Sequence, residues 1–234
     1  MVAGGFKNDL TALADSTPHD RRYDRLREYT ELVKRLLPGG PVSYNGEFYR
    51  VDNLRLTPAL VAELFPAVFV SASSEAGVST ARALDATSVH YPKPSREYVG
   101  GAPLSGARAG IRVGIIARAD EQEAWRIARA RFPEDRRGQL THQLSNLAME
   151  SEDSPYWLLP FRNYKTFCPY LVGSYERVGD ELAHYVAAGF TTFILDVPPA
   201  EEELRHTRIA FQYVPGAYRA VSASPPARDH DGVP

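Results

Sequence analysis

The sequence predicts an α/β protein built on parallel strands. Two features carry that expectation. Short runs rich in β-branched and aromatic residues recur, among them Ala67–Ser71 (AVFVS), Gly110–Ala117 (GIRVGIIA) and Thr191–Leu195 (TTFIL). Helix starts follow them at Ser73, at Asp120 and at Pro198-Pro199, so strand and helix alternate as parallel crossovers require.

In chain order, Met1–Gly5 is short, apolar and ends on two glycines, as the tail of a strand entering a loop does. Thr17, Pro18 and Asp20 read as a helix start: a hydroxyl cap, a proline at the first helical position and an acid in the first turn. Leu26, Tyr29, Val33, Leu36 and Leu37 then fall at helical spacing, and Pro38-Gly39-Gly40 stops the helix. Val42–Val51 reads as a β-hairpin, with Asn45-Gly46 filling the two positive-φ positions of a type I′ turn. A helix over 73–84 and a strand over Thr87–Tyr91 come next. Residues 92–107 are rich in Pro, Gly and Ser and read as a loop.

After GIRVGIIA, Asp120 caps a helix with Ala124, Trp125, Ala128 and Phe132 on one face. Within 133–170 the reading is one helix near 138–150 and then an insertion loop of aromatic character, YWLLPFRNYKTFCPY. Ser174 caps a helix that turns Val178, Leu182, Tyr185 and Val186 inward and is closed by Gly189. A last helix runs to about residue 213. This assigns 1–213 to one domain and 214–234, rich in Pro, Ala and Ser, to a disordered tail. No internal repeat is visible. Periodicity leaves open whether the sheet closes into a barrel or stays open.

Over 234 residues, 44% are hydrophobic, 24% are charged and the net charge is −2, which describes a soluble globular chain with neither a nucleic-acid face nor an anionic membrane partner. Cys168 is the single cysteine, so no intrachain disulfide forms and a reducing compartment fits. The opening residues lack the pattern of a secretory leader, and no apolar run approaches the ~20 residues of a membrane span. A cytoplasmic location is expected. The six histidines show no metal-ligand spacing, and neither a dinucleotide fingerprint nor a nucleophile elbow is present.

Five segments carry candidate chemistry. Ser71-Ala-Ser-Ser74 joins a strand to a helix, so it can present N–H groups and the Ser73 and Ser74 hydroxyls to a phosphate, or form a plain cap. Gly4 and Gly5 allow close approach of backbone to a flat ring, or make a simple turn. Arg112 alternates with Ile111 and Val113 on a buried strand, where a charge needs an anion: a substrate group, a peroxide anion or a structural carboxylate. Arg162, Tyr164 and Lys165 make the aromatic loop basic, fit to clamp an anion or to lie in solvent. Gly173-Ser174-Tyr175 is a further helix start, fit to meet a phosphate or, as the favoured reading, to form an ordinary cap.

Several segments, in order, resemble the bacterial-luciferase-like flavin monooxygenases, and within them the alkanesulfonate branch. VAGGFKNDL is similar to that family's fourth strand and glycine turn, and PHDRRYDRLREYTELVKRLL to its "HDERY" helix. VSYNGEFYRV is similar to the hairpin that follows, VFVSASSEAG to the "GGSS" phosphate loop, and GIRVGIIARADEQEAW to the next inner strand and helix. LVGSYERVGDELAHYVAAGFTTFILDVPP resembles the closing helix and eighth strand. The resemblance implies a (β/α)8 TIM-type barrel. A full one takes about 250 residues, and about five strands from the fourth onward are visible, so an incomplete barrel lacking its N-terminal strands is expected.

It also implies reduced FMN supplied by a separate flavin reductase, and O2 as oxidant. The substrate would be a small organic molecule, with alkanesulfonates as the class the branch suggests. Tyr23, Ser73 and Ser74 would meet the FMN phosphate, with Gly4 and Gly5 near the ring. Arg112, Arg162 and Lys165 would be catalytic. Ala72 stands where the family usually has glycine, and Gly114 where it often has histidine. A homo-oligomer or partner chain would cover the open strand edges. The competing readings are a non-catalytic flavin-binding remnant and a deazaflavin-dependent dehydrogenase.

Overall fold

In the computed structural model, which describes residues 1–3, 7–15, 17–18, 21–98, 108–133, 154–162 and 165–223, the apolar runs of the sequence become parallel strands. They belong to two units. One is made of Met1–His90 with the short stretch that enters the long central strand; the other comprises the segment after His90 and the chain from Gly110 onward.

In the first unit, strand β1 (Val2–Ala3) pairs in parallel with β4 (Phe69–Ser71), and β4 with β5 (Thr87–His90). The register sets Val2 against Val70 and Ala3 against Ser71, so both strands end at one edge. Val70, with a strand on each side, is fully buried. Leu26 from helix α2 (Arg22–Leu36) and Ala81 and Leu84 at helix α3 (Glu75–Ala83) close over it. The Lys34 ammonium donates to the Leu84 carbonyl and ties α2 to the end of α3. A short helix α1 (Lys7–Ala12), absent from the sequence reading, precedes α2.

Helix α2 starts later than Thr17 and Pro18 suggest. Arg25 Nη1 donates to Thr17 Oγ1 (2.8 Å) and to Asp15 Oδ2 (2.6 Å), while the Thr17 N–H donates to Asp15 Oδ1 (2.9 Å). Thr17 is therefore held in a turn, and Arg21 stands at the N-cap position without a side-chain cap. Asp20 lies outside the described residues. The Thr17 N–H and then the Arg25 guanidinium bring the Asp15 carboxyl down to about 2. Tyr29, one of the apolar residues at helical spacing, is 44% exposed.

The hairpin forms from β2 (Val42–Asn45) and β3 (Arg50–Leu54), but not around a type I′ turn. Asn45 pairs with Arg50, which leaves a four-residue loop. Glu28, buried on α2, decides this. Its carboxylate accepts the N–H groups of Glu47 (3.0 Å), Phe48 (3.0 Å) and Tyr49 (2.6 Å), so three loop amides converge on one anion. A two-residue turn offers no such set.

In the second unit, β6 (Ala109–Arg118) pairs in parallel with β8 (Tyr170–Ser174), from Gly114 against Tyr170 to Arg118 against Ser174. Strand β7 (Tyr156–Trp157) runs antiparallel on β8, and β9 (Phe190–Leu195) pairs with β6. Strand β8 is a correction at Tyr170, the end of the expected loop, and an addition over 171–174, where the sequence indicates no strand before the Ser174 cap. Its pattern is apolar but short, and a five-residue run bounded by Pro169 carries no strand signature of its own. Helix α4 (Glu121–Arg131), capped by Asp120 as expected, packs Ala124 and Ala128 against Val172 and Tyr170. The aromatic loop opens as β7 and a single turn, α5 (Leu159–Arg162). The helix expected near 138–150 lies outside the described residues.

Helix α6 (Tyr175–Ala187) has the Ser174 cap and the Gly189 stop that the sequence indicates. Its buried Glu181 accepts the Ser95 N–H (2.8 Å) and hydroxyl (2.7 Å). Those bonds hold Ser95–Tyr98 as a 3-10 turn where only loop was expected. Helix α7 (Glu201–Ala223) runs through Pro215, past the expected end near 213. Among the described residues no helix is long and apolar enough to cross a membrane.

Replacing Glu28 with Ala strands three loop N–H groups, and we expect a loss of about 2–4 kcal/mol in a denaturant titration. Glu28→Gln, which keeps one acceptor oxygen, is expected to lose less. Equal stability of wild type and Glu28→Ala would remove the carboxylate from its role in shaping the hairpin.

Candidate functional site

The β4–α3 turn is built by small residues. Strand β4 ends at Ser71, Ala72 is buried, and the exposed Ser73 and Ser74 lead into α3. Ser74 Oγ accepts the Gly77 N–H at 3.3 Å, so the helix has the hydroxyl cap that the sequence allows, one residue later than the expected start at Ser73. Tyr23 reaches the turn from α2 and donates its hydroxyl to the Ser71 carbonyl at 3.2 Å. Gly77 makes this approach feasible. A Cβ there would stand 2.7 Å from Ala72 Cβ and 2.8 Å from Tyr23 Cζ. The structure thus brings Tyr23, Ser73 and Ser74 together. Gly4 and Gly5 lie outside the described residues.

Chemically this turn is suited to an anion. The first N–H groups of α3 point out of the helix, and the aligned peptide dipoles favour negative charge there. Glu75, in the first turn, is the one group of opposite tendency. The Tyr23–Ser71 bond is long for O–H···O, so little is lost if the hydroxyl turns to another acceptor.

The second cluster is in the other unit. Arg112 projects from β6, its Nε is shielded from solvent, and that atom makes no hydrogen bond. Its guanidinium lies over the Phe167 ring, 5.6 Å from the centroid. No ion pair of Arg112 is found among the described residues. This contrasts with Arg118 and Arg131, which both close on the buried Glu203 (2.5 and 2.8 Å). Burial raises the Glu203 carboxyl, but the two guanidiniums outweigh it and leave the group below its usual range.

Two residues on from Arg112, Gly114 faces the Tyr170 ring, and a Cβ at this position would fall within that ring. Tyr170 donates its hydroxyl to Asp196 Oδ2 at 2.8 Å. Burial, then that carboxylate, pushes the Tyr170 hydroxyl well above its ordinary range. Asp196 and Tyr170 also line a cavity of about 20 Å³ beside Arg131 and Glu203, room for one water. Asp196 and Tyr170 were not among the sequence candidates. The available signal was the acid that ends the apolar run FIL and the glycine in β6.

The basic loop is less convergent than its composition suggests. The Lys165 ammonium donates to the Pro133 carbonyl, and its N–H donates to Pro160 O at 2.9 Å. Arg162 ends α5, and its charge partly offsets the rise that burial causes in the Tyr156 hydroxyl. Tyr164 lies outside the described residues. Arg112 meets this loop through Phe167 and Cys168. Gly173 and Ser174 form an ordinary start for α6, with Ser174 Oγ accepting the Arg177 N–H. Among the described residues no group of His, Cys, Asp and Glu could hold a metal ion.

The chain belongs to the luciferase-like monooxygenase family, which matches residues 1–192. Its fold is the α/β type of luciferase-like barrels, of which the strands described here form part. Among curated proteins it is 31% identical over 226 residues to 4-(gamma-L-glutamylamino)butanoyl-[BtrI acyl-carrier protein] monooxygenase BtrO of Niallia circulans, covering 88% of this chain and 66% of that protein. Among solved structures it resembles monooxygenase RslO1 from Streptomyces bottropensis, with a TM-score of 0.59 and 19% identity over 92% of this chain and 67% of that one. It also resembles the coenzyme F420-dependent tetrahydromethanopterin reductase from Methanopyrus kandleri, with a TM-score of 0.60 and 13% identity over 92% and 73%. The chain therefore spans about two thirds of the length of BtrO and RslO1.

Burial, with a smaller contribution from Asp196, raises the Cys168 thiol to about 12. We expect no labelling of native protein by a thiol reagent at pH 8 and full labelling after denaturation. Rapid labelling of the folded chain would show that Cys168 is neither buried nor neutral.

Proposed function

We propose that this chain binds reduced FMN, supplied by a separate flavin reductase, and acts with O2 as a monooxygenase on a small anionic organic substrate of the alkanesulfonate kind. The observation that carries the reading is the β4–α3 turn: a helix start with exposed serines, crossed by Tyr23, in a chain of this family. The residues suit the cofactor's phosphate. Ser73 is exposed, Ser74 can donate its own proton while it accepts from Gly77, and Tyr23 can exchange the Ser71 carbonyl for a phosphate oxygen. Gly4 and Gly5 would let the ring system lie close to the end of β1. The cofactor, when bound, supplies the chemistry that activates O2.

Arg112 would take the anionic group of the substrate, since its guanidinium has no carboxylate partner of its own among the described residues. Arg162 and Lys165 would add positive field from the following loop and help exclude water. BtrO is named for a carrier-bound acyl substrate, which is the competing substrate class for this chain. Strand β1 has one strand neighbour among the described residues, and a second copy or a partner chain would cover its open edge.

A second reading, a flavin-binding protein without turnover, is favoured by the Tyr170 ring lying against Gly114, where the family often has a histidine. A deazaflavin in place of FMN is the alternative cofactor, since F420-dependent enzymes share this fold.

Anaerobic titration with FMN and reduced FMN is expected to show saturable binding, weakened about tenfold in a Tyr23→Phe, Ser73→Ala double variant, equivalent to ~1.4 kcal/mol. With a flavin reductase and an alkanesulfonate, substrate-dependent O2 consumption is expected, and Arg112→Leu should abolish it while flavin affinity stays unchanged. Flavin binding without turnover selects the second reading. If neither form of FMN binds, both flavin readings fail.

A further inference from the structure

Arginines crowd the region of helix α2, and nearly all are matched. Arg21 donates to Asp24 (2.8 Å) and to Glu47 (2.6 Å). Arg25 meets Asp15 at 2.6 Å and also Thr17. Arg27 stands 3.7 Å from Glu31, and Arg35 lies over the Tyr44 ring at 5.2 Å. Glu28 uses both oxygens on the hairpin amides. Arg22 has no such match among the described residues. Its Nε is shielded from solvent and makes no hydrogen bond.

A shielded, unpaired guanidinium nitrogen is costly, and among the described residues the neighbouring acids Asp15, Asp24, Glu28 and Glu47 are already engaged. Beside Arg22 there is space. It lines a cavity of about 330 Å³ with Val2, Leu26, Tyr29 and Tyr49. The tyrosine rings stand 5.7 Å apart, tilted by 50°, and with Leu26 and Val2 they make an apolar wall beside the guanidinium. Arg25 also lines the cavity, but its charge is already balanced by Asp15.

We propose that this cavity is a binding site for a small carboxylate carried on one aromatic ring. The guanidinium fork matches a carboxylate through two parallel bonds. The tyrosines offer edge and face contacts to a flat apolar body. The volume is at the low end of the range for small-molecule sites, which suits a ligand of one ring. The lining includes none of Tyr23, Ser73 and Ser74, the residues assigned to the flavin phosphate, although Ala3 lies on both β1 and the cavity wall. The inference does not depend on the flavin reading.

Calorimetric titration of the full chain with phenylacetate is expected to give saturable binding at one site. Phenylacetamide, equal in shape but neutral, should bind at least about tenfold more weakly. Arg22→Leu should cost at least as much, and Tyr29→Ala several-fold. Arg22→Lys keeps the charge but loses the fork, so it too should weaken binding, and it serves if the Leu variant does not fold. Saturating FMN should leave the phenylacetate affinity unchanged. The proposal is overturned if phenylacetate shows no saturable heat at millimolar concentration. It is also overturned if the amide binds equally well, or if Arg22→Leu and Arg22→Lys bind as the wild type does. Sedimentation showing a dimer that Arg22→Glu dissociates and phenylacetate leaves intact would assign the cavity to a second chain and refute the ligand site.

Discussion

The first unit depends on how closely α2 can approach the end of β4. Tyr23 lies across the β4–α3 turn only because residue 77 has no side chain; a Cβ there would collide with both Tyr23 and Ala72. That approach sets Leu26 over Val70 and forms the buried cluster. It also sets the direction in which the first turn of α3 presents its N–H groups. Packing and anion recognition thus share one steric condition, and a change at Gly77 would disturb both.

In the second unit the equivalent constraint is Gly114 beneath the Tyr170 ring. The parallel register between β6 and β8 sets these two residues opposite each other. The ring fills the space that a side chain on β6 would take, and its hydroxyl holds Asp196. Asp196 is therefore engaged by Tyr170, and no ion pair joins it to Arg112 among the described residues. The neighbours of Arg112 are instead the Phe167 ring and the Cys168 thiol, and its Nε stays without a hydrogen bond.

Buried acids and shielded arginines are treated in contrasting ways, and each unit holds both kinds. Glu203 takes two arginines, Glu181 takes an amide and a hydroxyl, and Glu28 takes three amides. Each buried acid has donors enough to offset its desolvation. Arg22 and Arg112 are the exceptions, each with a shielded Nε that lacks a partner among the described residues. Unmatched cations in otherwise matched surroundings are where a ligand anion would gain most.

The sequence by itself determined which segments are strands and helices wherever the signal is local. AVFVS, GIRVGIIA and TTFIL became strands, Asp120 and Ser174 became caps, and the helix expected from Ser73 starts one residue later at a Ser74 cap, because β-branching and a hydroxyl or carboxylate before a helix act on neighbouring residues. The family resemblance was legible from the same ordered segments. Tertiary structure decided the rest. Thr17 lost its cap role to Asp15 and Arg25, and the hairpin lost its two-residue turn to Glu28, 17 positions before Asn45 in the chain. Strand β8 appeared because β6 supplied a register, and Tyr170 and Asp196 met across 26 residues. These outcomes rest on partners distant in sequence, which neither local periodicity nor composition encodes.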